Sequence, residues 1–438
     1  MAGQFQSWGR TQSQTGQGVP AGEGKLPKLP ESPFLPVGLG RSYGDVCLNR
    51  EGKLLLMEDR KGILSTDWNS GLIRLEGGYT LGALAETCLP QGWFPPVLPG
   101  TRHVTIGGAI ANDVHGKNHH RAGSFGNHVT RLWLLRSDRS EPFECSPEKE
   151  PELFRSTIGG LGLTGVILSA EIQLKKAEGP YLEVEFLPFD DLGTFANLTI
   201  ESDTGWEYTV AWVDLVEASV ERLPGIFMRG NHVSDPAWDR VVKPHRASFR
   251  WPLTLPLCPF NRFTCGAFNR LYGWRQGLRK TRFRQHYGAF FHPLDVIDDW
   301  NKLYGPRGFF QYQCVIPESS GLEPFREIFQ QLREHRATVP LAVLKQTGSL
   351  EAAGWLSFPM PGWTLAMDIP NKGQKTLQLF RALDDIVGAA GGRLYPAKDA
   401  AMGSSFFQSG YPRWRELEAV RDPAIQSDFW KRVAGAFD

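Results

Sequence analysis

The chain has 438 residues, of which 41% are hydrophobic and 22% are charged, and its net charge is close to +1. This length exceeds what one hydrophobic core usually supports, so two domains are expected. The balanced charge argues against a general nucleic-acid-binding protein, because neutralising phosphates requires a basic surplus or a basic face.

The six cysteines are scattered and form no CxxC pair, which argues against a disulfide framework or a zinc ribbon. The first residues lack the apolar core of a signal peptide, and no apolar run reaches the roughly 18 residues that a membrane helix needs. We therefore expect a cytoplasmic protein, with peripheral contact to a membrane left open.

The elements predicted first along the chain are short. Residues 1–33 are rich in Gly, Pro, Gln and Ser, which predicts an extended arm instead of a packed element. Short apolar runs separated by glycines follow at 53–59 and 71–78. Thr80 is predicted to cap a helix that ends at Pro90.

Later segments alternate between strand and helix patterns. Residues 166–174 alternate apolar and mostly polar side chains, which predicts a half-buried strand. Strands are also predicted at 206–215, 309–317 and 362–370, and a helix at 322–335. This mixture predicts an α+β fold.

The stretch 98–129, LPGTRHVTIGGAIANDVHGKNHHRAGSFGNHV, contains half of the ten histidines. Its glycines allow a backbone to approach a flat or charged ligand closely. A metal site is the alternative interpretation. The adjacent His119 and His120 lack the matched spacing of metal ligands, so no metal site is expected.

The loop Gly38-Leu-Gly40-Arg-Ser-Tyr-Gly44 differs from the dinucleotide fingerprint in its glycine spacing, and the following DVCLN does not open a helix. A turn can still bind an anion through successive backbone N–H groups. The loops 38–44 and 100–108 are therefore predicted to hold a pyrophosphate from two sides. A third loop, 159–165, is predicted to pack against the same ligand.

PVGLGRSYGD, the 98–129 stretch and IGGLGLTGVI resemble the FAD-binding domain of the vanillyl-alcohol oxidase and p-cresol methylhydroxylase superfamily. Within it they are similar to the decaprenylphosphoryl-β-D-ribose 2′-oxidase family, and the resemblance continues through AWVD, FHPLD, FQYQCVIP, PGW, RLYPAKD and YPRW. It implies a two-subdomain FAD-binding domain of the p-cresol methylhydroxylase type and an α+β substrate domain with an antiparallel sheet. The implied divisions are 1–177 for FAD, 178–390 for substrate and 391–438 returning to the FAD domain.

The resemblance also implies the flavin contacts. FAD is expected to be noncovalent, because Ser42 and Tyr43 stand where some relatives carry a histidine or cysteine that attaches it. The positions expected to contact FAD are Gly38, Gly40, Arg41, Ser42, Tyr43, Gly44, Gly100, Thr105, Ile106, Gly107, Gly108, Asn112, His115, Ile167 and Tyr395.

Oxidation of a sugar hydroxyl requires a group that takes its proton or stabilises the developing alkoxide. Lys398 is the first candidate, as a desolvated base or as a cation, and His115 is the second. The alternative for Lys398 is a surface lysine paired with Asp399. The sequence does not decide which of the two candidates handles the proton.

A further set of positions is expected to line the substrate pocket: Lys117, Phe291, Gln311, Gln313, Lys345, Thr364 and Ala366. Gln311 and Gln313 are two apart on a predicted strand and should therefore share a face. The family pattern has asparagine at Thr364, cysteine at Ala366 and tyrosine at Phe291. These departures leave the exact sugar open.

The resemblance implies oxidation of the C2′ hydroxyl of a polyprenyl-phosphate pentose to a ketone, the first half of an epimerisation in cell-wall arabinan precursor synthesis. A separate NAD-dependent reductase would complete the epimerisation. The alternatives are an oxidase of soluble sugars, alditols or aldonolactones, and a flavoprotein that has become a binding module. A basic cluster is predicted to contact anionic lipid headgroups, unless it is a solvated loop: Arg275, Arg279, Lys280, Arg282 and Arg284.

Overall fold

The first sheet contains the N-terminal region itself. The computed structural model describes residues 2–31, 33–235, 238, 249–277 and 282–435. Four strands form this sheet in the order β1-β2-β4-β3: β1 (Ala2–Gln6), β2 (Ser13–Pro20), β3 (Phe34–Val37) and β4 (Lys53–Leu56).

The prediction of an extended, unpacked arm over residues 1–33 is wrong. Strand β2 pairs antiparallel with β1 and parallel with β4, so its backbone groups are bonded within a sheet. The polar composition is tolerated because the side chains also find partners. The buried Gln14 accepts a hydrogen bond from the Asn49 N–H through its Oε1 at 2.6 Å.

The second sheet has five strands in the order β5-β6-β10-β8-β9, and every neighbouring pair is antiparallel. Its strands, together with a separate ladder of β7 and β11, are β5 (Ile63–Asp67), β6 (Leu72–Glu76), β7 (Trp93–Phe94), β8 (Val129–Leu135), β9 (Phe143–Cys145), β10 (Val166–Gln173) and β11 (Lys175–Lys176). The prediction of a half-buried β10 is wrong for residues 166–170, which are all buried. Val166 and Leu168 pack into one hydrophobic cluster, whereas Ile167 packs into another.

The third sheet has eight strands in the order β16-β12-β14-β13-β19-β20-β18-β21, all antiparallel to their neighbours. With the small parallel pair of β15 and β17, the strands of this part are β12 (Tyr181–Phe189), β13 (Tyr208–Val213), β14 (Gly225–His232), β15 (Phe249–Arg250), β16 (Arg282–His286), β17 (Ile297–Asp298), β18 (Phe309–Pro317), β19 (Leu341–Thr347), β20 (Gly362–Pro370) and β21 (Arg393–Leu394). The predicted α+β fold with an antiparallel sheet is confirmed.

The described residues include twelve α-helices: α1 (Leu81–Cys88), α2 (Ile106–Ala111), α3 (His119–Ala122), α4 (Pro151–Thr157), α5 (Leu192–Ser202), α6 (Arg262–Gly277), α7 (Tyr287–Phe291), α8 (Glu323–Glu334), α9 (Gln374–Ala389), α10 (Ser404–Gly410), α11 (Trp414–Val420) and α12 (Asp428–Ala434). The predicted cap of α1 is confirmed, because Thr80 Oγ1 accepts a hydrogen bond from the Ala83 N–H at 3.2 Å. Over the part of the chain that is described, no helix is both long and apolar enough to cross a bilayer.

Helices α8 and α9 cover one face of the eight-stranded sheet. Phe310 and Tyr312 of β18 both contact the ring of Phe380 on α9. Because side chains alternate along a strand, Gln311 and Gln313 point to the opposite face. That opposite face carries the candidate site.

The last part of the chain contacts the first sheet. The Phe34 N–H donates to the Ala424 carbonyl at 2.9 Å, and the Gln426 N–H donates to the Phe34 carbonyl at 2.9 Å. Arg432 of α12 forms an ion pair with Asp45 at 2.7 Å. These contacts support the proposed return of residues 391–438 to the FAD domain, although β21 lies in the eight-stranded sheet.

Candidate active site

The polar residues predicted for the substrate pocket meet on one face of the eight-stranded sheet. Gln313 of β18 lies opposite Ala366 of β20, and Lys345 of β19 lies opposite Thr364. Directly opposed residues of an antiparallel pair place their side chains on the same face. These four residues and Gln311 therefore share one face, as the spacing of the two glutamines predicts.

His115 reaches this face from the loop before α3. Its Nδ1 lies 2.5 Å from Lys345 Nζ, and its Nε2 lies 3.0 Å from Gln313 Nε2. Burial and the neighbouring charge of Lys345 lower the pKa of His115 well below its usual value. The ring is therefore neutral near pH 7, and protein groups engage both of its nitrogens.

Three half-buried lysines surround this histidine: Lys117, Lys345 and Lys398. Burial lowers the pKa of Lys117 to about 7. Burial, together with the charges of Lys117 and Lys398, lowers the pKa of Lys345 to about 7. Lys117 donates to the carbonyl of Phe290, and Lys345 donates to that of Gly116 at 2.7 Å.

Lys398 differs from the other two lysines in its contacts. Its Nζ lies 3.9 Å from the ring centroid of Tyr43, and no described residue accepts a hydrogen bond from it. Burial lowers its pKa to about 8, while the charge of Asp368 opposes the shift. Asp399 pairs with Arg432 at 2.9 Å, so the alternative of a surface Lys398 paired with Asp399 is wrong.

Asp368 was not among the residues predicted from the sequence. Gln311 Nε2 donates to its Oδ1 at 2.6 Å, and burial raises the pKa of this carboxyl to about 6. The signal was present in the alternation of β20, because Asp368 is two and four residues from Ala366 and Thr364 and therefore shares their face.

Phe291 packs among other aromatic side chains in the structure. Its side chain is only 1% exposed and makes a T-shaped contact with Tyr208 at 4.8 Å. The neighbouring Phe290 contacts Lys117 instead, through its carbonyl and its ring. Tyr208 is four residues from Trp212 on β13 and shares its face, so the lining position of Phe291 stays a prediction.

The loop 38–44 has the backbone geometry that an anion site requires. Gly40 has a φ of +59°, which few other residues adopt. Among the described residues, the N–H groups of Gly40, Arg41 and Ser42 have no hydrogen-bond partner, and the buried Arg41 Nε also has none. Successive free donors beside a buried guanidinium fit the pyrophosphate of FAD.

The loop 100–108 lies against the loop 38–44, but its amides at 106–108 have hydrogen-bond partners within the protein. A Cβ on Gly38 would lie 2.3 Å from Thr105 Oγ1, so the two loops approach closely only with glycine there. Three amides at the start of α2 donate within the protein: Ile106 to the Tyr79 carbonyl at 2.7 Å, Gly107 to the Gly77 carbonyl at 2.8 Å and Gly108 to Thr105 Oγ1 at 3.1 Å. The amides of Ile106 and Gly107 thus anchor α2 to the turn after β6, and the role of the loop 100–108 in holding the pyrophosphate stays a prediction.

Asn112 and Tyr395 form another wall of the candidate cofactor site. The Tyr395 hydroxyl donates to the Asn112 carbonyl at 2.8 Å, and its ring stacks on Phe358 with centroids 4.8 Å apart. Asn112 Oδ1 is buried without a partner among the described residues. An unpaired buried acceptor fits a bound ligand that donates to it.

The remaining predicted flavin contacts differ in burial. Ile167 is buried in β10, whereas Gly100 is exposed. A Cβ on Gly44 would lie 1.8 Å from the Asp399 carbonyl oxygen, and the Tyr43 N–H donates to the Ala397 carbonyl at 2.9 Å. The loop 38–44 is thereby fastened to the turn that carries Lys398.

The neighbouring histidines make structural hydrogen bonds. His119 Nδ1 accepts from the Gly348 N–H at 3.1 Å, and His120 Nε2 lies 3.1 Å from the Trp206 carbonyl oxygen. Within the described ranges, no three side chains of His, Cys, Asp or Glu are grouped so that they could hold a metal ion.

The predicted basic cluster is divided between elements. Arg279 and Lys280 lie outside the described residues. Arg282 of β16 pairs with Glu185 at 2.6 Å, and Arg284 lies opposite Glu183 in the ladder with β12. Arg275 of α6 is exposed, and the predicted contact of the cluster with anionic headgroups stays a prediction.

Comparison with known proteins extends over almost the whole chain. A family model described as "FAD binding domain" matches residues 28–141. The decaprenylphosphoryl-β-D-ribose oxidase of Mycolicibacterium smegmatis is 35% identical over 412 residues, covering 90% of this chain and 88% of that protein. An uncharacterized protein of Streptomyces coelicolor is 31% identical over 370 residues, covering 81% of this chain and 99% of that protein.

A third relative matches only part of the chain. The Delta(24)-sterol reductase of Homo sapiens is 29% identical over 148 residues, which is 34% of this chain and 28% of that protein. The residues matched by the family model include both glycine loops. The predicted FAD-binding domain is therefore confirmed.

Proposed function

The chain belongs to the decaprenylphosphoryl-β-D-ribose oxidase family, and from this membership we propose that it oxidises the C2′ hydroxyl of a polyprenyl-phosphate pentose to a ketone. It is an FAD-dependent oxidoreductase acting on CH–OH groups. The 2′-keto sugar would then be reduced by a separate NAD-dependent enzyme, which completes an epimerisation in the synthesis of a cell-wall arabinan precursor.

The observation that carries this proposal is the charge of the site. The side chains of Lys117, Lys345 and Lys398 are half-buried and lie near one another. The charge of Asp368 acts on Lys398 by raising its pKa, against the effect of burial. A neutral sugar, alditol or lactone gains little from the ammonium forms of Lys117 and Lys345, whereas a phosphate-bearing sugar neutralises them. The site therefore favours a sugar phosphate over the soluble neutral substrates of the alternative.

Different residues are proposed to bind the cofactor and the substrate phosphate. The free amides of 40–42 and the Arg41 guanidinium would hold the FAD pyrophosphate, and Asn112 and Tyr395 would contact the rest of the cofactor. Lys117 and Lys345 would bind the substrate phosphate. Ser42 and Tyr43 offer no histidine or cysteine for attachment, so the FAD is proposed to be noncovalent and released by denaturation.

When bound, FAD supplies the acceptor for the hydride that leaves the C2′ carbon. Lys398 takes the hydroxyl proton, because its amine has no hydrogen-bond partner among the described residues and burial lowers its pKa to about 8. Asp368 then stabilises the ammonium that forms. His115 is a positioning residue, since Lys345 and the amide of Gln313 engage its two nitrogens.

The test is an absorbance spectrum of the purified protein followed by anaerobic titration. A yellow protein whose flavin is bleached by a short-chain prenyl-phosphoryl-ribose supports the proposal. Ribose, an alditol and an aldonolactone serve as matched substrates without the prenyl phosphate. Equal bleaching by one of these neutral compounds would establish the alternative oxidase, and a protein that takes up no FAD would overturn both.

A further inference from the structure

Helix α6 presents its apolar side chains to solvent. Phe263, Leu271 and Trp274 are 84%, 60% and 64% exposed, and their spacing of eight and three residues places them on one side of the helix. The buried side carries Cys265 and two polar side chains. Asn269 is 3% exposed and donates to Asp214 Oδ1 at 2.7 Å, and Gln276 is also buried.

This arrangement is the reverse of an ordinary surface helix, which buries its apolar stripe. The segment 249–261, which leads into α6, extends the pattern with the exposed Leu253 and Leu257. Of the sixteen large apolar side chains exposed in the described chain, seven lie in 249–277. An apolar concentration of this kind marks a surface that binds another apolar phase.

The charges of the same segment favour an anionic lipid bilayer as this apolar phase. Residues 249–277 contain four arginines, at 250, 262, 270 and 275, and no aspartate or glutamate. The side chains of Arg250 and Arg270 are 74% and 75% exposed, although each lies within ion-pair distance of an acidic residue on a neighbouring element. Exposed aromatic and aliphatic side chains beside arginines match the boundary between anionic headgroups and acyl chains.

The surface is continuous with the active-site face of the sheet. Val343 of β19 lies opposite both Ala366 of β20 and Trp212 of β13, so these three residues share the face that carries the lysines. The Trp212 ring contacts Tyr272 of α6 with centroids 4.9 Å apart. Tyr272 in turn stacks on the exposed Phe268.

We propose that α6 and the segment 249–261 form a docking surface for an anionic lipid bilayer, with Phe263, Leu271 and Trp274 inserted at the headgroup boundary. The row from Phe268 through Tyr272, Trp212 and Val343 then joins the membrane to the lysine site. The docking proposal depends only on the exposed surface of α6 and 249–261. That a polyprenyl chain lies along the row from Phe268 to Val343 rests on the proposed function.

The experiment is co-sedimentation of the full-length FAD-loaded protein with phosphatidylcholine vesicles, with and without phosphatidylglycerol. We expect binding to the anionic vesicles only. Combined Phe263→Ser, Leu271→Ser and Trp274→Ser substitutions should weaken binding by about tenfold or more, because they remove the three apolar side chains proposed to insert at the headgroup boundary. The matched control carries Leu64→Ser and Ile200→Ser, which are also exposed apolar residues but lie outside the segment, and it should bind like the parent.

A wild-type protein that ignores anionic vesicles, or a triple variant that binds them like the parent, overturns docking. A dimer in light scattering that the triple variant abolishes, without vesicle binding, assigns the surface to a second copy and also overturns it. Flavin bleaching by short-chain prenyl-phosphoryl-ribose should be unchanged in the triple variant, which shows that it is folded. If vesicles bind but this substrate fails to bleach the flavin in the parent, the proposed function fails and docking stands.

Discussion

Lys398 and His115, the two candidates for the hydroxyl proton, have different hydrogen-bond environments. His115 lies between Lys345 and Gln313, whereas no described residue accepts a hydrogen bond from the Lys398 amine. A base must reach the proton that it removes, so the free amine supports the role proposed for Lys398 before any pKa is considered. His115 is proposed instead to orient the groups that would face the substrate.

This assignment predicts the pH dependence of flavin reduction. We expect the rate at saturating prenyl-phosphoryl-ribose to rise with pH around an apparent pKa of about 8, because only the neutral Lys398 amine accepts a proton. KM should rise over the neutral range, because Lys117 and Lys345, whose pKa values burial lowers to about 7, lose the charge that binds phosphate. Anaerobic stopped-flow measurements separate the two effects.

The Lys398→Met variant should lower the reduction rate by about 10²–10⁴-fold, the usual contribution of a general base. Lys398→Arg keeps the charge and serves as the control for electrostatic effects, since a guanidinium stays protonated. A parent rate that falls as pH rises through 8, with activity retained by the arginine variant, would show that the charged lysine stabilises the alkoxide instead.

At the scale of elements, the loop 38–44 depends on close backbone approaches that only glycine allows. A methyl group on Gly44 would lie 1.8 Å from the Asp399 carbonyl oxygen, so the loop and the turn that carries Lys398 would have to separate. We expect Gly44→Ala to destabilise the protein by about 1–3 kcal/mol, the usual cost of overpacking. It should also weaken FAD retention.

Denaturant unfolding and flavin release on gel filtration measure these two effects. Gly205→Ala is the control, because Gly205 is exposed and a Cβ there would meet nothing within 4 Å. Parent stability and parent FAD retention in Gly44→Ala would contradict this prediction, because they would show that the two backbones can move apart without loss.

At the scale of the whole molecule, Arg432 connects distant parts of the chain. Its guanidinium binds Asp45, next to the loop 38–44, at 2.7 Å and Asp399, next to Lys398, at 2.9 Å. Both carboxylate side chains are nearly buried, with 4% and 6% exposed. Arg432 thus neutralises two acids that flank the loop 38–44 and Lys398, the lysine proposed as the base.

Removal of this arginine should leave two buried carboxylates without their cation. We expect Arg432→Met to lower the free energy of unfolding by about 3–5 kcal/mol, the usual cost of breaking a buried ion pair from one side. Arg381→Met on the exposed side of α9 is the control and should change it by less than about 0.5 kcal/mol. Equal denaturation midpoints for the two variants would contradict this role of Arg432.

The parts that the sequence predicted correctly depend on local periodicity and short motifs. The bounds of β18 and β20 match the predicted segments 309–317 and 362–370, because alternation along a strand needs no information from elsewhere. The shared face of Gln311 and Gln313 follows from the same period. The order of the family motifs likewise predicted the FAD-binding domain, which the comparisons confirm.

The tertiary structure alone decided where hydrogen bonds and burial fall. His115 and Lys345 are 230 residues apart, so no local pattern shows that they bind each other. Partners that are distant in the sequence also explain the strands in residues 2–20 and the occupied amides of 106–108. They explain as well the burial of Phe291 and the exposed apolar side of α6. Each depends on which distant segment supplies the partner, and a partner is defined by the packed chain and not by the order of neighbouring residues.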